Sequence, residues 1–298
     1  MLNSFTRAVT AERKYKRTKE LRQPLLSNRN SNASGSRALA FWLLLSFLLV
    51  VTFVLARRLD LELESRVLPA VVLSSIFALL AFVLRGVSRS GASAGALIAF
   101  VQTAAGGLPM FGMLALVFAL TWLATRLGRE RKLRLGVAEQ RRGRDGAQVL
   151  ANLWAAAMAI TLSLLLPCSY ALHIAAMAAL VEAASDTASS EIGQAFGRRA
   201  WLITTGGQVP VGTDGGVSMM GILAGLLAAI IVALASIASG ELRFSDWPII
   251  TLCGFIGMIF DSFIGAMFER RGWMTNNAVN FSSTCFSALL AFVIGINR

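Results

Sequence analysis

Apolar residues occupy this chain in long runs that carry very little charge, rather than on one face of short helices. Nine such runs follow one another: Ala38–Leu55, Leu68–Leu84, Gly91–Ala105, Leu108–Thr125, Val149–Leu166, Ala171–Ala184, Val217–Ala238, Trp247–Phe268 and Ala278–Ile296. A helix needs ~20 apolar residues to cross the ~30 Å hydrocarbon core, so the shorter runs fit broken or re-entrant helices. The least secure spans are Gly91–Ala105 and Ala171–Ala184. The pattern predicts an all-α fold, a polytopic transmembrane helical bundle of about 7–9 spans.

The composition excludes an ordinary soluble protein. Of the 298 residues, 56% are hydrophobic and only 15% are charged, with a mean hydropathy of +0.66. A soluble domain has roughly a quarter of its residues charged. The three cysteines are widely spaced and form no CxxC pair, which argues against a disulfide framework or a zinc site. The single histidine, His173, excludes mechanisms that need two imidazoles.

The net charge of +12 raises the question of a nucleic-acid partner, and the positions of the basic residues answer it. With nine spans and the N-terminus inside, 23 of the 28 Lys and Arg residues fall on the cytoplasmic side, as membrane topology favours. We therefore expect no nucleic-acid partner, and an integral, multi-pass protein of a bacterial inner membrane. The basic composition of residues 1–37 predicts a disordered cytoplasmic tail that contacts anionic lipid headgroups. Residues 38–84 are predicted to form N-terminal transmembrane helices.

The first polar concentration begins inside an apolar run. Glu182 and Asp186 are four residues apart there and share one helix face. Carboxylates within a membrane segment are costly, and by default they mark a functional site that faces protein, water or an ion. The alternative is a solvated helix end just outside the lipid. Glu191 and the pair Arg198 and Arg199 follow at the cytoplasmic end of the same segment.

A glycine-rich turn comes next and leads directly into another apolar run. It contains Gly212, Thr213, Asp214, Gly215, Gly216 and Ser218. Glycines ahead of a helix allow backbone N–H groups to converge on phosphate oxygens, and the helix N-terminus adds partial positive charge. The spacing matches neither the nucleotide-binding P-loop nor the dinucleotide motif GxGxxG. A simple turn is the alternative, but together with the membrane carboxylates and the two arginines the turn predicts a phosphate and metal site.

The second concentration centres on Asp261, which stands in the middle of an apolar run. An unpaired carboxylate there is costly, so Asp261 should meet a cation, a proton or a hydrogen-bond donor. Asn276, Asn277 and Asn280 follow at the start of the last apolar run. Capping of that helix and contact with a ligand explain these amides equally well.

The third concentration is the basic loop 126–148. The topology rule explains its charge but not the placement of Gln148 and Asn152 on one helix face. Together with Arg89 and Arg144, this loop joins the other two concentrations on the cytoplasmic side. Carboxylates, glycine turns and arginines suit Mg²⁺-dependent phosphoryl or nucleotidyl transfer from a cytosolic nucleotide to a lipid-like substrate. An ion-coupled transporter is the alternative from another class, since intramembrane acids and broken helices suit it equally.

Six motifs, in this order, resemble the membrane family called domain of unknown function ninety-two, which includes the plant phytyl-phosphate kinase of tocopherol synthesis. They are Arg89-Ser-Gly-Ala92, Gln148-Val-Leu-Ala-Asn152, Asp186-Thr-Ala-Ser-Ser-Glu191-Ile-Gly193, Val209-Pro-Val-Gly-Thr-Asp-Gly-Gly-Val-Ser218, Asp261-Ser-Phe-Ile-Gly-Ala266 and Asn276-Asn-Ala-Val-Asn-Phe281. The resemblance extends from Arg85 to Phe292, so we interpret residues 85–298 as a catalytic membrane domain.

The resemblance implies an isoprenyl phosphate kinase. The γ-phosphoryl group of a nucleoside triphosphate, CTP in the first instance, passes to an isoprenyl monophosphate and gives the diphosphate. The implied Mg²⁺ ligands are Asp186, Asp261, Glu191 and Asp214; the arginines on the second phosphate group are Arg89 and Arg144; and the implied nucleotide or substrate contacts are Glu191, Arg198, Gly212, Thr213, Asp214, Gly215, Gly216, Ser218, Asn277, Asn280, Gln148 and Asn152.

A second resemblance links the chain to CTP-using polyprenol kinases and phosphatidate cytidylyltransferases, through the order of Asp186, basic residues and glycines. Those families carry a lysine before the glycines, whereas the four lysines of this chain all precede residue 133. Arg198, Arg199 or backbone amides would have to replace it. A prenol kinase and a lipid-phosphate cytidylyltransferase therefore stand as the alternative enzymes.

Overall fold

The computed structural model describes residues 63–138, 143–240 and 242–297. The predicted tail and the first predicted helix, Ala38–Leu55, lie outside the described residues. The helices are α1 (Leu63–Val83), α2 (Arg89–Arg126), α3 (Arg129–Leu135), α4 (Gly146–Leu162), α5 (Ser169–Phe196), α6 (Met219–Ala238), α7 (Trp247–Ile264) and α8 (Asn276–Gly295). Within the described ranges, α1, α2, α6, α7 with its flanking turns, and α8 are long and apolar enough to cross a membrane. The predicted helical bundle is confirmed.

Helix α2 contains two of the predicted runs, and they lie side by side. Leu84 lies just before this helix, and a straight α2 would carry Trp122 ~50 Å from the first residue of the helix, Arg89. Instead, the indole Nε1 of Trp122 donates to the carbonyl oxygen of Leu84 at 3.2 Å. The chain reverses at Gly107, whose φ of 68° and ψ of −163° interrupt the helix. Both predicted runs therefore exist, as the antiparallel halves of a helical hairpin.

Helix α5 forms the centre of the bundle and packs against α2, α4, α6, α7 and α8. Its alanine-rich sequence allows this, because small side chains let helices approach closely. Ser185 donates from Oγ to the carbonyl oxygen of Gly225 on α6 at 2.8 Å, and a Cβ at Gly254 of α7 would lie 2.3 Å from a Val181 methyl group. The predicted span ended at Ala184, whereas the helix continues to Phe196 and keeps its carboxylates within the bundle.

Residues 197–218 form a small sheet that the sequence analysis did not predict. Strand β1 (Ala200–Leu202) pairs antiparallel with β2 (Gln208–Val209) on one side and with β3 (Gly216–Val217) on the other. The side chain of Ser218 then accepts from the backbone N–H of Gly221 at 3.1 Å and caps α6. The sheet holds the glycine-rich turn against the start of α6.

The helix order brings the three polar concentrations to one end of the bundle. Helices α1, α5 and α7 end there, α4, α6 and α8 begin there, and both halves of α2 meet it. Basic side chains donate hydrogen bonds to the carbonyl oxygens at the helix ends here, since cations are favourable at the C-termini of helices. Arg126 donates to Leu84 at the end of α1 at 2.6 Å, and Arg131 donates to Ala195 at the end of α5 at 3.1 Å.

We predict that Gly107→Ala destabilises the protein, because the Gly107 conformation is one that essentially only glycine adopts. The expected loss is about 1–3 kcal/mol in the free energy of unfolding, measured by denaturation in detergent micelles. Gly112→Ala is the matched control on the same helix, since a Cβ at Gly112 would meet open space and alanine favours a helix. Equal stability of the two variants would contradict a reversal at Gly107.

Candidate active site

A polar cleft of about 260 Å³ opens at this end of the bundle, between α4, α5, the glycine-rich turn, α7 and α8. Thirteen of the predicted site residues line it: Arg144, Gln148, Asn152, Asp186, Glu191, Gly212, Thr213, Asp214, Gly215, Gly216, Ser218, Asp261 and Asn280. Arg89, Arg198 and Asn277 do not line it, and both of these arginines are exposed. Residues that are distant in sequence thus converge on one site.

Asp186 from α5 and Asp261 from α7 are half-buried carboxylates of the cleft, and they are close enough to interact electrostatically. Asp261 meets the hydrogen-bond donor that its position requires, since Ser283 donates from Oγ to Asp261 Oδ2 at 3.0 Å. The Asn280 amide either donates to Asp261 Oδ2 at 3.3 Å or, rotated, donates to Asn152 Oδ1 at 3.4 Å. Two neighbouring carboxylates repel each other, so the pair favours a bound cation.

Glu182 lies one helical turn deeper than Asp186 and is only 1% exposed. Neither of its carboxylate oxygens has a hydrogen-bond partner among the described residues. Its methylene group packs against α7, where a Cβ at Gly257 would lie 2.7 Å from Glu182 Cγ. A third carboxyl group therefore stands beneath the pair that faces the cleft.

Five carboxylates line the cleft, from Asp186, Glu191, Asp214, Asp261 and Glu269, but they do not form a complete coordination shell. Within the described ranges, no three His, Cys, Asp or Glu side chains converge as a metal site. Mg²⁺ needs no such group, because it keeps several waters and is usually held by one or two carboxylates together with substrate phosphates. Asp186 and Asp261 fit that requirement.

The glycine-rich turn is pressed against α7. Gly215 has a φ of 70°, and a Cβ there would lie 2.3 Å from Ala266 Cβ, so only glycine allows this approach. Ala266 belongs to a π-helical turn, Gly265–Glu269, which continues α7 and brings Glu269 to the cleft. The sequence analysis did not assign Glu269 to the site, since only the tertiary contact with the turn places it there.

Two hydroxyl groups of the turn already form hydrogen bonds within the protein. Thr213 donates from Oγ1 to the carbonyl oxygen of Pro210 at 2.7 Å, and Ser218 caps α6. The backbone N–H of Gly216 also closes the turn by donating to Thr213 at 2.8 Å. The turn lines the cleft as far as Ser218, the residue that caps α6. Backbone groups ahead of a helix N-terminus favour anions.

Arg144 is fixed by its backbone and side chain at the edge of the cleft. Its carbonyl oxygen accepts from the N–H of Ser88 at 2.9 Å, and its own N–H donates to Gly86 at 3.1 Å. The guanidinium donates to Thr187 Oγ1 on α5 at 3.1 Å and interacts electrostatically with Asp186. Arg144 therefore holds a positive charge beside the carboxylates.

A second cavity, of about 370 Å³, lies between α1, α2 and α4. It shares Arg144, Gln148 and Asn152 with the polar cleft, so these three residues form a common wall. Most of its other lining is apolar, with side chains such as Phe77 and Phe118. The polar amides that share a face of α4 thus separate two chemically different spaces.

Comparison with known proteins gives the family. The family model of the integral membrane protein DUF92 matches residues 72–288. The chain belongs to the DUF92 family of integral membrane proteins. This result confirms the predicted resemblance. The matched residues include the wall that the two cavities share, Asp186 and Asp261, and the glycine-rich turn.

Several known proteins are about one third identical to the chain over the segments that align. An uncharacterized membrane protein of Synechocystis sp. is 36% identical over 58% of this chain and 67% of its own length. Protein VTE6, chloroplastic, of Arabidopsis thaliana is 31% identical over 70% of this chain and 65% of its own length. An uncharacterized membrane protein of Methanocaldococcus jannaschii is 30% identical over 77% of this chain and 94% of its own length. No solved structure matches the chain.

The DUF92 chain also contains a buried ion pair that sequence reasoning missed. Lys132 on α3 is fully buried, and its Nζ donates to Glu191 Oε2 at 2.5 Å and to the carbonyl oxygen of Thr125 at 2.7 Å. The sequence placed Lys132 among the cations of a solvated loop, and only the docking of α3 against α5 buries it. Because Lys132 pairs with Glu191, the cleft carboxylates outside this ion pair are Asp186, Asp214, Asp261 and Glu269.

We predict that Lys132→Met destabilises the protein by about 3–5 kcal/mol, because it leaves the Glu191 carboxylate buried without its partner. Denaturation in detergent micelles measures the effect. The double variant Lys132→Met/Glu191→Gln should recover much of the loss, and Arg134→Met, at an exposed position of the same helix, is the matched control. A single variant as stable as Arg134→Met would show that the pair is not buried.

Proposed function

We propose that the chain is an integral-membrane kinase that transfers the γ-phosphoryl group of a nucleoside triphosphate, with CTP as the first donor to test, to an isoprenyl monophosphate. The observation that carries this proposal is the common wall of Arg144, Gln148 and Asn152 between a carboxylate-lined polar cleft and an apolar cavity. A charged donor and a lipid acceptor could meet there. The chain resembles a family that includes a plant phytyl-phosphate kinase, and this resemblance supports the same reaction.

The acceptor's chemistry suits a site without a histidine base. A phosphate monoester has a second pKa near ~6, so at neutral pH its oxygens are already anionic and need no strong base. One such oxygen attacks the γ-phosphorus and forms the new P–O bond. The bond between the γ-phosphorus and the bridging β–γ oxygen breaks, and the nucleoside diphosphate leaves with that electron pair.

Catalysis in this reaction depends on alignment and on neutralising the phosphates. In our proposal Arg144 contacts the acceptor phosphate, since its guanidinium lies at the common wall. The glycine-rich turn and the N-terminus of α6 accommodate the donor phosphates, because backbone N–H groups and the helix dipole favour anions. Asn152 and Asn280 orient the groups between the two spaces through their amides.

Asp186 and Asp261 would hold Mg²⁺, with Asp214, which also lines the cleft, as a further ligand, directly or through water. The ion, when bound, supplies positive charge to the phosphate oxygens. The side-chain contacts of Ser283 and Asn280 orient the Asp261 carboxylate for this task.

We also propose that the cleft faces the cytoplasm, where nucleoside triphosphates are available. The described turns at this end carry Arg85, Arg89, Arg198, Arg199 and the basic residues of the 126–138 segment. Positive residues favour the cytoplasmic side of a membrane. The donor should therefore be used when it is added to inside-out vesicles and not when it is added to sealed right-side-out vesicles.

We predict that Asp186→Asn and Asp261→Asn each lower turnover by about a hundredfold or more, since each removes a charge that the reaction needs. The assay supplies purified protein, Mg²⁺, γ-labelled CTP and phytyl monophosphate, and measures label in the lipid diphosphate. Glu130→Gln is the matched control, because Glu130 is exposed on α3 and does not line either cavity. Unchanged detergent stability of the Asp variants would show that the loss is chemical.

The same assay separates the other activities. Label on phytol would indicate a prenol kinase, and transfer of the cytidylyl group to phosphatidate would indicate a cytidylyltransferase. An ion-coupled transporter would move substrate across sealed vesicles and tolerate removal of Mg²⁺. If neither CTP, ATP, GTP nor UTP labels any isoprenyl phosphate, the kinase proposal is wrong.

A further inference from the structure

The apolar cavity has the size and lining of a site for a hydrocarbon chain. Its volume of about 370 Å³ falls within the range of roughly 300–1,000 Å³ that is typical of small-molecule sites. Phe77 from α1 and Leu114 and Phe118 from the second half of α2 contribute apolar walls. Phe77 stacks edge-to-face on Phe118 with ring centroids 5.3 Å apart, which fixes both rings.

The other end of the cavity is strongly positive. Arg85, Arg126, Arg129 and Arg144 all line it, and none of its described lining residues is acidic. The Arg126 side chain already has partners within the protein. Its guanidinium donates to the carbonyl oxygen of Leu84, and its Cζ lies 4.1 Å from the centroid of the Trp122 ring. Within the described residues, no hydrogen bond or ion pair satisfies the side chains of Arg85 and Arg129. A space that is apolar at one end and cationic at the other is complementary to an amphiphile with an anionic head.

Arg85 occupies a backbone position that glycine usually fills. It follows the end of α1 with a φ of 55°, while the N–H of Gly86 donates to Ala81 and the N–H of Arg85 donates to Phe82, each at 2.9 Å. This is the pattern of a Schellman helix end, in which the left-handed residue is most often glycine. The helix end therefore does not require arginine at this position, and the Arg85 side chain lines the cavity.

We propose that this cavity binds the prenyl chain of a lipid monophosphate and that Arg85 and Arg144 hold its phosphate. The common wall with the polar cleft then places that phosphate beside the paired carboxylates. The identity of the lipid rests on the proposed kinase function, whereas the assignment of the chain to this cavity rests on its lining and charge.

The absence of a side chain at Gly95 determines how long a prenyl chain the cavity can hold. It lies on the first half of α2, lines the cavity, and a Cβ built on it would meet no atom within 4 Å. A larger side chain at this position would therefore occupy the space of the prenyl chain without displacing protein atoms. Gly112, on the second half of the same helix, also has open space around its Cβ but does not line the cavity.

The test measures binding without nucleotide, so that it does not depend on turnover. Full-length wild type, Gly95→Leu and Gly112→Leu are titrated calorimetrically in detergent with geranyl, farnesyl, geranylgeranyl and phytyl monophosphate. We expect Gly95→Leu to weaken binding of the longest chains by about tenfold or more and to leave geranyl monophosphate nearly unaffected, because only a long chain reaches past the new side chain. Gly112→Leu should bind all four ligands as wild type does.

Arg85→Gly provides a second, fold-compatible variant. Its stability should match or exceed that of wild type, while its affinity for every isoprenyl monophosphate falls about tenfold or more and its affinity for the uncharged prenols stays the same. Wild-type affinity of both Gly95→Leu and Arg85→Gly for phytyl monophosphate would overturn the cavity assignment, even if phosphoryl transfer occurs. The expected binding pattern without phosphoryl transfer from any nucleotide would support the cavity assignment and reject the kinase function.

Discussion

The cost of placing carboxylates inside a helical bundle is the constraint on which the rest of the structure depends. Helix α5 lies at the centre and carries Glu182 and Asp186, while α7 adds Asp261 beside them. Each charge buried without a partner costs several kcal/mol. The bundle meets this cost at Asp261 with the Ser283 hydroxyl of α8 and at Asp186 with the nearby guanidinium of Arg144, and both carboxylates line the cleft. Among the described residues, Glu182 has no such partner.

The basic residues between helices have structural tasks as well as a topological one. Arg126 and Arg131 cover the carbonyl ends of α1 and α5, and Lys132 covers the end of α2 and neutralises Glu191. The loop that appears in the sequence as a solvated run of cations is thus a connected part of this end of the bundle. It closes one side of the polar cleft and lines the mouth of the apolar cavity.

The division of space between the two cavities gives the site its chemical character. Arg144, Gln148 and Asn152 stand between a cleft that suits charged phosphates and a cavity that suits hydrocarbon. Helix α4 positions Gln148 and Asn152, and its first turn is capped by Asp145, whose carboxylate accepts from the N–H of Gln148 at 2.9 Å. Backbone hydrogen bonds to Gly86 and Ser88 position Arg144. The polar residues at the start of α4 therefore form the boundary at which a donor and an acceptor could meet.

Thirteen of the site residues that the sequence predicts line the polar cleft. Acids, amides and glycines are rare in apolar runs, so they stand out in the sequence. The residues that were missed have ordinary sequence surroundings. Lys132 is one cation among many in its loop, and Glu269 stands at the apparent end of a helix. Their positions depend on the docking of α3 and on the contact between Gly215 and Ala266, which no local pattern reveals.

The sequence by itself determined the membrane class, the apolar helical runs and the short list of polar residues, because hydrophobicity and charge act locally along the chain. Only the tertiary structure decided that α2 is a hairpin, that a small sheet holds the glycine-rich turn and that an apolar cavity adjoins the cleft. These features depend on a single backbone conformation at Gly107 and on contacts between distant segments. Such contacts arise from packing, which periodicity and composition do not specify.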